Sequence, residues 1–128
     1  MYNEELKLEY IKENKDRNFA LEEISKRLFN QIEETEIKFG KDCCEFTISE
    51  IIDYYKSRLS ASLESLNVIN SNLKLYTNWC MVKKGMVEDH QNHYMEISIE
   101  LLNQCLNLGL TMSKIISRKD LFNMFKYI

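Results

Sequence analysis

Proline is absent from this chain of 128 residues, and only three glycines occur, Gly40, Gly85 and Gly109. Because these two residue types interrupt helices and form most tight turns, their scarcity favours long helical segments. A chain of this length can also bury enough apolar surface to fold without disulfides or a structural metal. The sequence therefore predicts an all-α fold, a compact bundle of four to five helices.

Apolar residues spaced three and four apart predict where the helices lie. We expect helices at about residues 4–13, 19–39, 48–59, 63–84 and 98–108, with a polar connecting loop at 86–94. Thr47 and Glu50 fit a capping box, and Ser62 is suited to cap the helix that follows it. Gly40 and Gly85 are the expected helix ends.

Four cysteines, Cys43, Cys44, Cys80 and Cys105, are too few and too irregularly spaced for a secreted disulfide framework. We expect reduced thiols, with one of the adjacent pair Cys43 and Cys44 packed and the other exposed. No apolar run approaches the roughly 18 residues of a membrane span, and the N-terminus does not resemble a signal peptide. The sequence therefore predicts a cytoplasmic protein that does not contact a membrane.

No combination of residues predicts an active site or a metal site. His90 and His93 form an H-x-x-H pair, but zinc sites of this kind need a second pair at a recognisable spacing, and no C-x-x-C occurs. We expect a surface loop with two solvated histidines. Glycine-rich phosphate loops, nucleophile elbows and H-E-x-x-H are also absent from the sequence. We therefore predict no catalytic residue, no metal, no cofactor and no small-molecule substrate.

Charge is distributed unevenly along the chain, although the net charge is only −3. Residues 1–50 carry 8 Lys and Arg against 13 Asp and Glu, a net of −5, whereas residues 51–128 carry 9 against 7, a net of +2. A surface that faces phosphates is therefore expected in the second half. Cationic and small polar residues cluster around the third and fourth predicted helices: Lys56, Arg58, Ser60, Ser62, Ser65, Asn70, Lys74, Lys83 and Lys84.

The segment Ser62 to Gly85, SLESLNVINSNLKLYTNWCMVKKG, resembles the signature of the SAM-like core-binding domain of phage integrases and other tyrosine recombinases. Those domains carry a Ser, a Ser or Thr three residues later, spaced apolar and aromatic positions, a Trp and a Gly. The corresponding residues here are Ser62, Ser65, Leu73, Tyr76, Trp79 and Gly85, while Ile69 stands where the family often has a tyrosine. Phe39 to Ile52 and Lys114 to Phe125 are similar to the segments that flank this signature in integrase-like proteins from phages of Gram-positive bacteria.

The resemblance implies a core-binding domain at residues 1–97, followed at 98–128 by a C-terminal helical extension or the start of a truncated catalytic domain. It implies double-stranded DNA as the partner, and we also expect possible self-association on DNA through the extension. The implied DNA-binding residues are Arg58, Ser62, Ser65, Lys74, Lys83 and Lys84. The tyrosine nucleophile of this family belongs to the catalytic domain, so the chain is not expected to be an enzyme by itself.

Two other interpretations remain open. One is an integrase-like phage transcriptional repressor that kept the recombinase architecture without its chemistry. The other is a helical protein-interaction module whose acidic N-terminal half and aromatic stripes dock a partner helix. Binding by such a module would be indifferent to Arg58 and Lys74, whereas DNA binding would not.

Overall fold

A computed structural model describes residues 1–16, 20–58 and 61–106 of the chain. These ranges contain helices and no strand, which confirms the predicted all-α class. No helix within them has both the length and the apolar character needed to cross a membrane. Leu59, Ser60 and residues 107–128 of the predicted extension lie outside the described residues.

Five α-helices follow one another along the described chain. They are α1 (Glu4–Asn14), α2 (Leu21–Phe39), α3 (Ile48–Ser57), α4 (Leu63–Lys84) and α5, which begins at residue 99 and is described to residue 106. Two short 3₁₀ helices, Cys43–Glu45 and His93–Glu96, lie before α3 and before α5.

The ends of the middle helices are set by the residues that the sequence indicated. The Thr47 hydroxyl accepts the Glu50 N–H at 3.2 Å, and the Glu50 carboxylate accepts the Thr47 N–H at 2.8 Å, so the capping box of α3 is complete. Ser62 caps α4 by accepting the Ser65 N–H at 3.1 Å. Gly40 and Gly85 end α2 and α4 in the left-handed conformation, with φ of 69° and 61°.

Helix α4 runs through the centre of the hydrophobic core. Six apolar residues spaced along one side of α4 are buried: Leu66, Ile69, Leu73, Tyr76, Trp79 and Cys80. The Tyr76 ring lies 4.8 Å from the Phe29 ring of α2 and 5.1 Å from the Tyr10 ring of α1, measured between centroids. Edge contacts between aromatic rings thus join α1, α2 and α4.

A buried ionic cluster ties α1 to α2 and to the segment before α3. The Lys7 ammonium donates to a Glu36 carboxylate oxygen at 2.6 Å, to Asp42 at 3.0 Å and to the Tyr2 carbonyl at 2.6 Å. The Lys7 and Glu36 side chains are fully buried, and Tyr76 also donates its hydroxyl to Asp42 at 3.0 Å. The sequence analysis did not identify this cluster.

The expectation that one of Cys43 and Cys44 would be exposed was wrong, because both are buried. Their backbone N–H groups bind buried carboxylates, Cys43 to Glu36 at 2.8 Å and Cys44 to Asp42 at 3.0 Å. This anchors the 3₁₀ turn against α4 with both thiols inside. Burial raises the pKa of the Cys43 thiol, while a hydrogen bond to Cys80 together with burial raises that of Cys44.

The segment after α4 is less solvated than the sequence suggested. Tyr94 is buried and donates its hydroxyl to the Cys43 carbonyl at 2.6 Å. The expectation of two solvated histidines holds for His90, which is exposed, and was wrong for His93. The 3₁₀ turn places His93 between Asp89 and Glu96, at 2.7 Å and 3.0 Å. Partial burial opposes the charged ring, but the two carboxylates hold the pKa of His93 above its usual value.

Candidate nucleic-acid interface

A groove between α2 and the N-terminal half of α4 brings together part of the predicted DNA-binding set. It encloses a cavity of about 380 Å³. Its polar lining comes from α2, from the residue that follows α3, and from α4: Arg27, Gln31, Arg58, Ser65 and Asn72. Apolar side chains complete the walls: Ile24, Leu28, Val68 and Ile69.

Arg58 directly follows the last residue of α3, where its side chain folds back over Tyr54. One terminal nitrogen of the guanidinium donates to the Tyr54 hydroxyl at 3.2 Å, and the guanidinium carbon lies 5.7 Å from the centre of that ring. The Nε atom is buried and has no hydrogen-bond partner among the described residues. Since a guanidinium carries five N–H groups, the Tyr54 contact leaves donors available to an acceptor in the groove.

Arg27 lies on the α2 side of the same groove and was missed by the sequence analysis. It belongs to the acidic first half of the chain, where the net charge predicts no surface that faces phosphates. The helical spacing of α2 could have identified it. Leu21, Leu28 and Ile32 are buried on one side of that helix. Arg27 and Gln31 are four residues apart, so they lie next to each other at the edge of this buried side.

The described residues that line the groove include two arginines and no acidic side chain, so the charge they carry is positive. Neither Arg27 nor Arg58 forms an ion pair with a described residue, and the two face a common space. An anion placed there would gain from both charges in a site partly sheltered from solvent. The geometry suits a phosphate group.

Two serines stand at the start of α4, and Ser65 is the one that lines the groove. The Ser62 hydroxyl is occupied as the helix cap, whereas the Ser65 side chain lines the groove. The first turn of a helix presents unpaired N–H groups and the positive end of the helix dipole, which favours an anion. The contribution of Ser62 to an anion site is therefore indirect, because its hydroxyl fixes the start of α4 close to Arg58.

The three lysines of the predicted set do not lie in this groove. Lys74 is about two and a half turns beyond Ser65, which places it on the opposite side of α4, where its carbonyl accepts from Asn92 at 2.9 Å. Lys83 is about five turns beyond Ser65 and shares its side of the helix. It lines a second groove of about 510 Å³, which meets the first at Asn72.

Lys84 is engaged within the molecule. Its ammonium pairs with the Glu9 carboxylate of α1 and lies 5.7 Å from the centre of the Trp79 ring. Of the predicted DNA-binding residues, Arg58 and Ser65 therefore lie in one groove, together with Arg27. Lys83 lies further along the same side of α4. Lys74 and Lys84 lie apart from this group.

One group of side chains in the described part of the chain has the spacing of a metal site: Glu36, Asp42 and Cys43. The Lys7 ammonium already lies within hydrogen-bond distance of both carboxylates. A lysine thus supplies the positive charge that a metal ion would bring to this position.

The fold, with its signature helix running from Ser62 to Gly85, is that of a SAM-like core-binding domain of the tyrosine recombinase or integrase type. The chain belongs to the family described as MrpR, N-terminal core-binding domain, which matches residues 1–83. The match takes in α1 to α3 and nearly all of α4, and it confirms the family resemblance. No curated protein and no solved structure matches the chain.

Proposed function

We propose that this chain is a non-catalytic module that binds the backbone of double-stranded DNA through the groove between α2 and α4. The observation that carries the proposal is the pair Arg27 and Arg58, which face one cavity whose described lining holds no acidic side chain. Membership of the core-binding family supports a partner of this kind.

Contacts to phosphates in this groove would give affinity for DNA but would not select a particular base sequence. Arginine fits phosphate oxygens with two parallel N–H donors, and Ser65 offers a hydroxyl beside them. Lys83 would bind a phosphate further along the duplex, on the same side of α4. We infer that the chain holds the duplex in register, either within an integrase-like tyrosine recombinase or within an integrase-like repressor, and that sequence choice rests mainly with other parts of such a protein.

The test is fluorescence anisotropy of a labelled duplex of about two helical turns, titrated with the chain at several salt concentrations. The double variant Arg27→Ala, Arg58→Ala should bind at least about tenfold more weakly. Its slope of log K against log salt should be shallower by roughly two, because each lost phosphate contact removes about 0.9 from the slope.

The matched control is the double variant Lys12→Ala, Lys15→Ala, which changes the net charge by the same amount at exposed positions that do not line the groove. It should retain most of the affinity. An equal loss in both double variants would show a diffuse charge effect and contradict a phosphate site in the groove. Absence of binding at low salt would favour a protein-interaction module instead.

A further inference from the structure

Helix α4 carries a line of exposed apolar side chains on the side away from the core. Val68, Leu75 and Val82 are 53%, 54% and 79% exposed, and each is seven residues from the next. Seven residues make nearly two turns, so the three side chains form a nearly straight row along the helix. We call this row the α4 seam.

Charged residues are scarce on α4 itself along the length of the seam. Between Glu64 in the first turn and Lys83 in the last, α4 carries one charged residue, Lys74. A helix face that meets only water is normally rich in charges, whereas the centre of a protein interface is depleted of them. The seam is therefore unlike an ordinary solvated face.

The pattern is symmetric about Leu75. Val68 and Val82 lie seven residues before and after it, and Asn72 and Asn78 lie three residues before and after it on the two flanks of the seam. A two-fold axis through Leu75 therefore places valine against valine and leucine against leucine when two such helices run antiparallel. A surface that complements itself in this way is the requirement for an interface with two-fold symmetry.

Charge at the ends of α4 favours the same arrangement. Glu64 is in the first turn, and Lys83 and Lys84 are in the last. Antiparallel helices centred on Leu75 bring Glu64 of one copy to within about one turn of Lys83 of the other, within reach of a lysine side chain. Parallel helices would instead place like charges together.

From these observations we propose that the α4 seam is a self-association surface, on which a second copy of this chain docks its own α4 in antiparallel orientation. Three exposed side chains per copy cover much less than the roughly 800 Å² per partner of a standard stable interface. The association is therefore weak, with a dissociation constant of tens to hundreds of micromolar as an order of magnitude. Because Val68 and Asn72 also line the DNA-binding groove, a docked copy would cover part of it.

Sedimentation equilibrium of the full chain, from about 10 μM to 1 mM, tests the proposal without DNA, so its result is independent of the proposed function. We expect a reversible monomer–dimer equilibrium. Leu75→Glu should shift the dissociation constant at least about tenfold upward, because the two-fold axis places the two new carboxylates against each other. Ile37→Glu is the matched control: Ile37 is 62% exposed on α2 and should leave the equilibrium unchanged.

Cysteine cross-linking tests the orientation, because all four native cysteines are buried. Val68→Cys and Val82→Cys, mixed under a mild oxidant, should form the mixed 68–82 disulfide and little of either symmetric product. Three results would each overturn the proposal. The chain could stay monomeric at 1 mM, Ile37→Glu could raise the dissociation constant as much as Leu75→Glu, or the 68–68 and 82–82 cross-links could form in preference to the mixed one.

Discussion

Lys7, Glu36 and Asp42 show how individual residues specify the packing of this bundle. One ammonium faces two carboxylates in the interior, and one Glu36 oxygen, Oε1, has no hydrogen-bond partner within the described part of the chain. Burial opposes charge on Asp42, but Lys7 and the Cys44 N–H more than offset it and lower the pKa of that carboxyl. For Glu36, burial prevails over Lys7 and raises the pKa. Glu36 is therefore the first of the two carboxylates to take a proton as the pH falls.

The lowered pKa of Asp42 and the raised pKa of Glu36 have opposite effects on how stability depends on pH. Asp42 contributes stability above its unfolded pKa, and that contribution is lost as the pH falls through its lowered folded pKa. Glu36 binds a proton more readily in the folded state, so its ionisation costs stability as the pH rises. Lys7 is the residue that makes the ionised cluster tolerable in the core.

We predict that Lys7→Met destabilises the chain by about 3–5 kcal/mol at pH 7, because two buried carboxylates lose the cation that pairs with both of them. Removing the ammonium also raises the pKa of both carboxyls above their values in the native chain, so lowering the pH to 5 should protonate them in part and narrow the deficit. Urea unfolding followed by circular dichroism at both pH values measures this. Lys12→Met, at an exposed position of the same helix, is the control and should change stability by less than about 0.5 kcal/mol. A deficit that does not depend on pH would contradict the assigned role.

At the scale of single elements, the capping box of α3 offers the clearest test. Thr47→Ala removes the acceptor of the Glu50 N–H and should lower the free energy of unfolding by about 0.5–2 kcal/mol. Ser71→Ala provides the comparison, since it replaces an exposed hydroxyl inside α4 with a good helix former and should not destabilise the chain. Equal effects of the two substitutions in urea titrations would show that the box does not set the start of α3.

Local signals explain which elements were predictable from sequence. Thr47, Ser62, Gly40 and Gly85 act within one helical turn of their own position, so the starts of α3 and α4 and the C-terminal ends of α2 and α4 could be predicted from neighbouring residues alone. Burial of Lys7, Cys44 and Tyr94 depends instead on partners distant in the chain, which local patterns do not identify. The same reason explains why only part of the groove could be predicted. Arg58 and Ser65 are close in sequence, whereas Arg27 lies beside them only because α2 packs on α4.

At the scale of the whole molecule, the core continues beyond the segment that matches the family. That match ends at residue 83, yet Tyr94, Leu102 and Cys105 are nearly inaccessible to solvent and belong to the same hydrophobic cluster as α4. Asn70 of α4 binds both the Tyr55 hydroxyl and the Tyr94 carbonyl, at 2.7 Å and 3.1 Å. Residues after α4 therefore complete the bundle, and the predicted division of the chain between residues 97 and 98 stays open to direct test.

Comparing a chain of residues 1–97 with one of residues 1–106 tests that division. The shorter chain lacks Leu102 and Cys105, and burial of a leucine side chain contributes about 1.5–3 kcal/mol. We therefore predict that urea unfolds the shorter chain more easily, with a deficit of at least that size. Leu102→Ala in the longer chain should reproduce most of the loss, because it removes the same side chain while keeping α5. Equal stability of the two chains would place the domain boundary at residue 97 and make α5 an appendage, whereas the predicted deficit makes α5 part of the core-binding bundle.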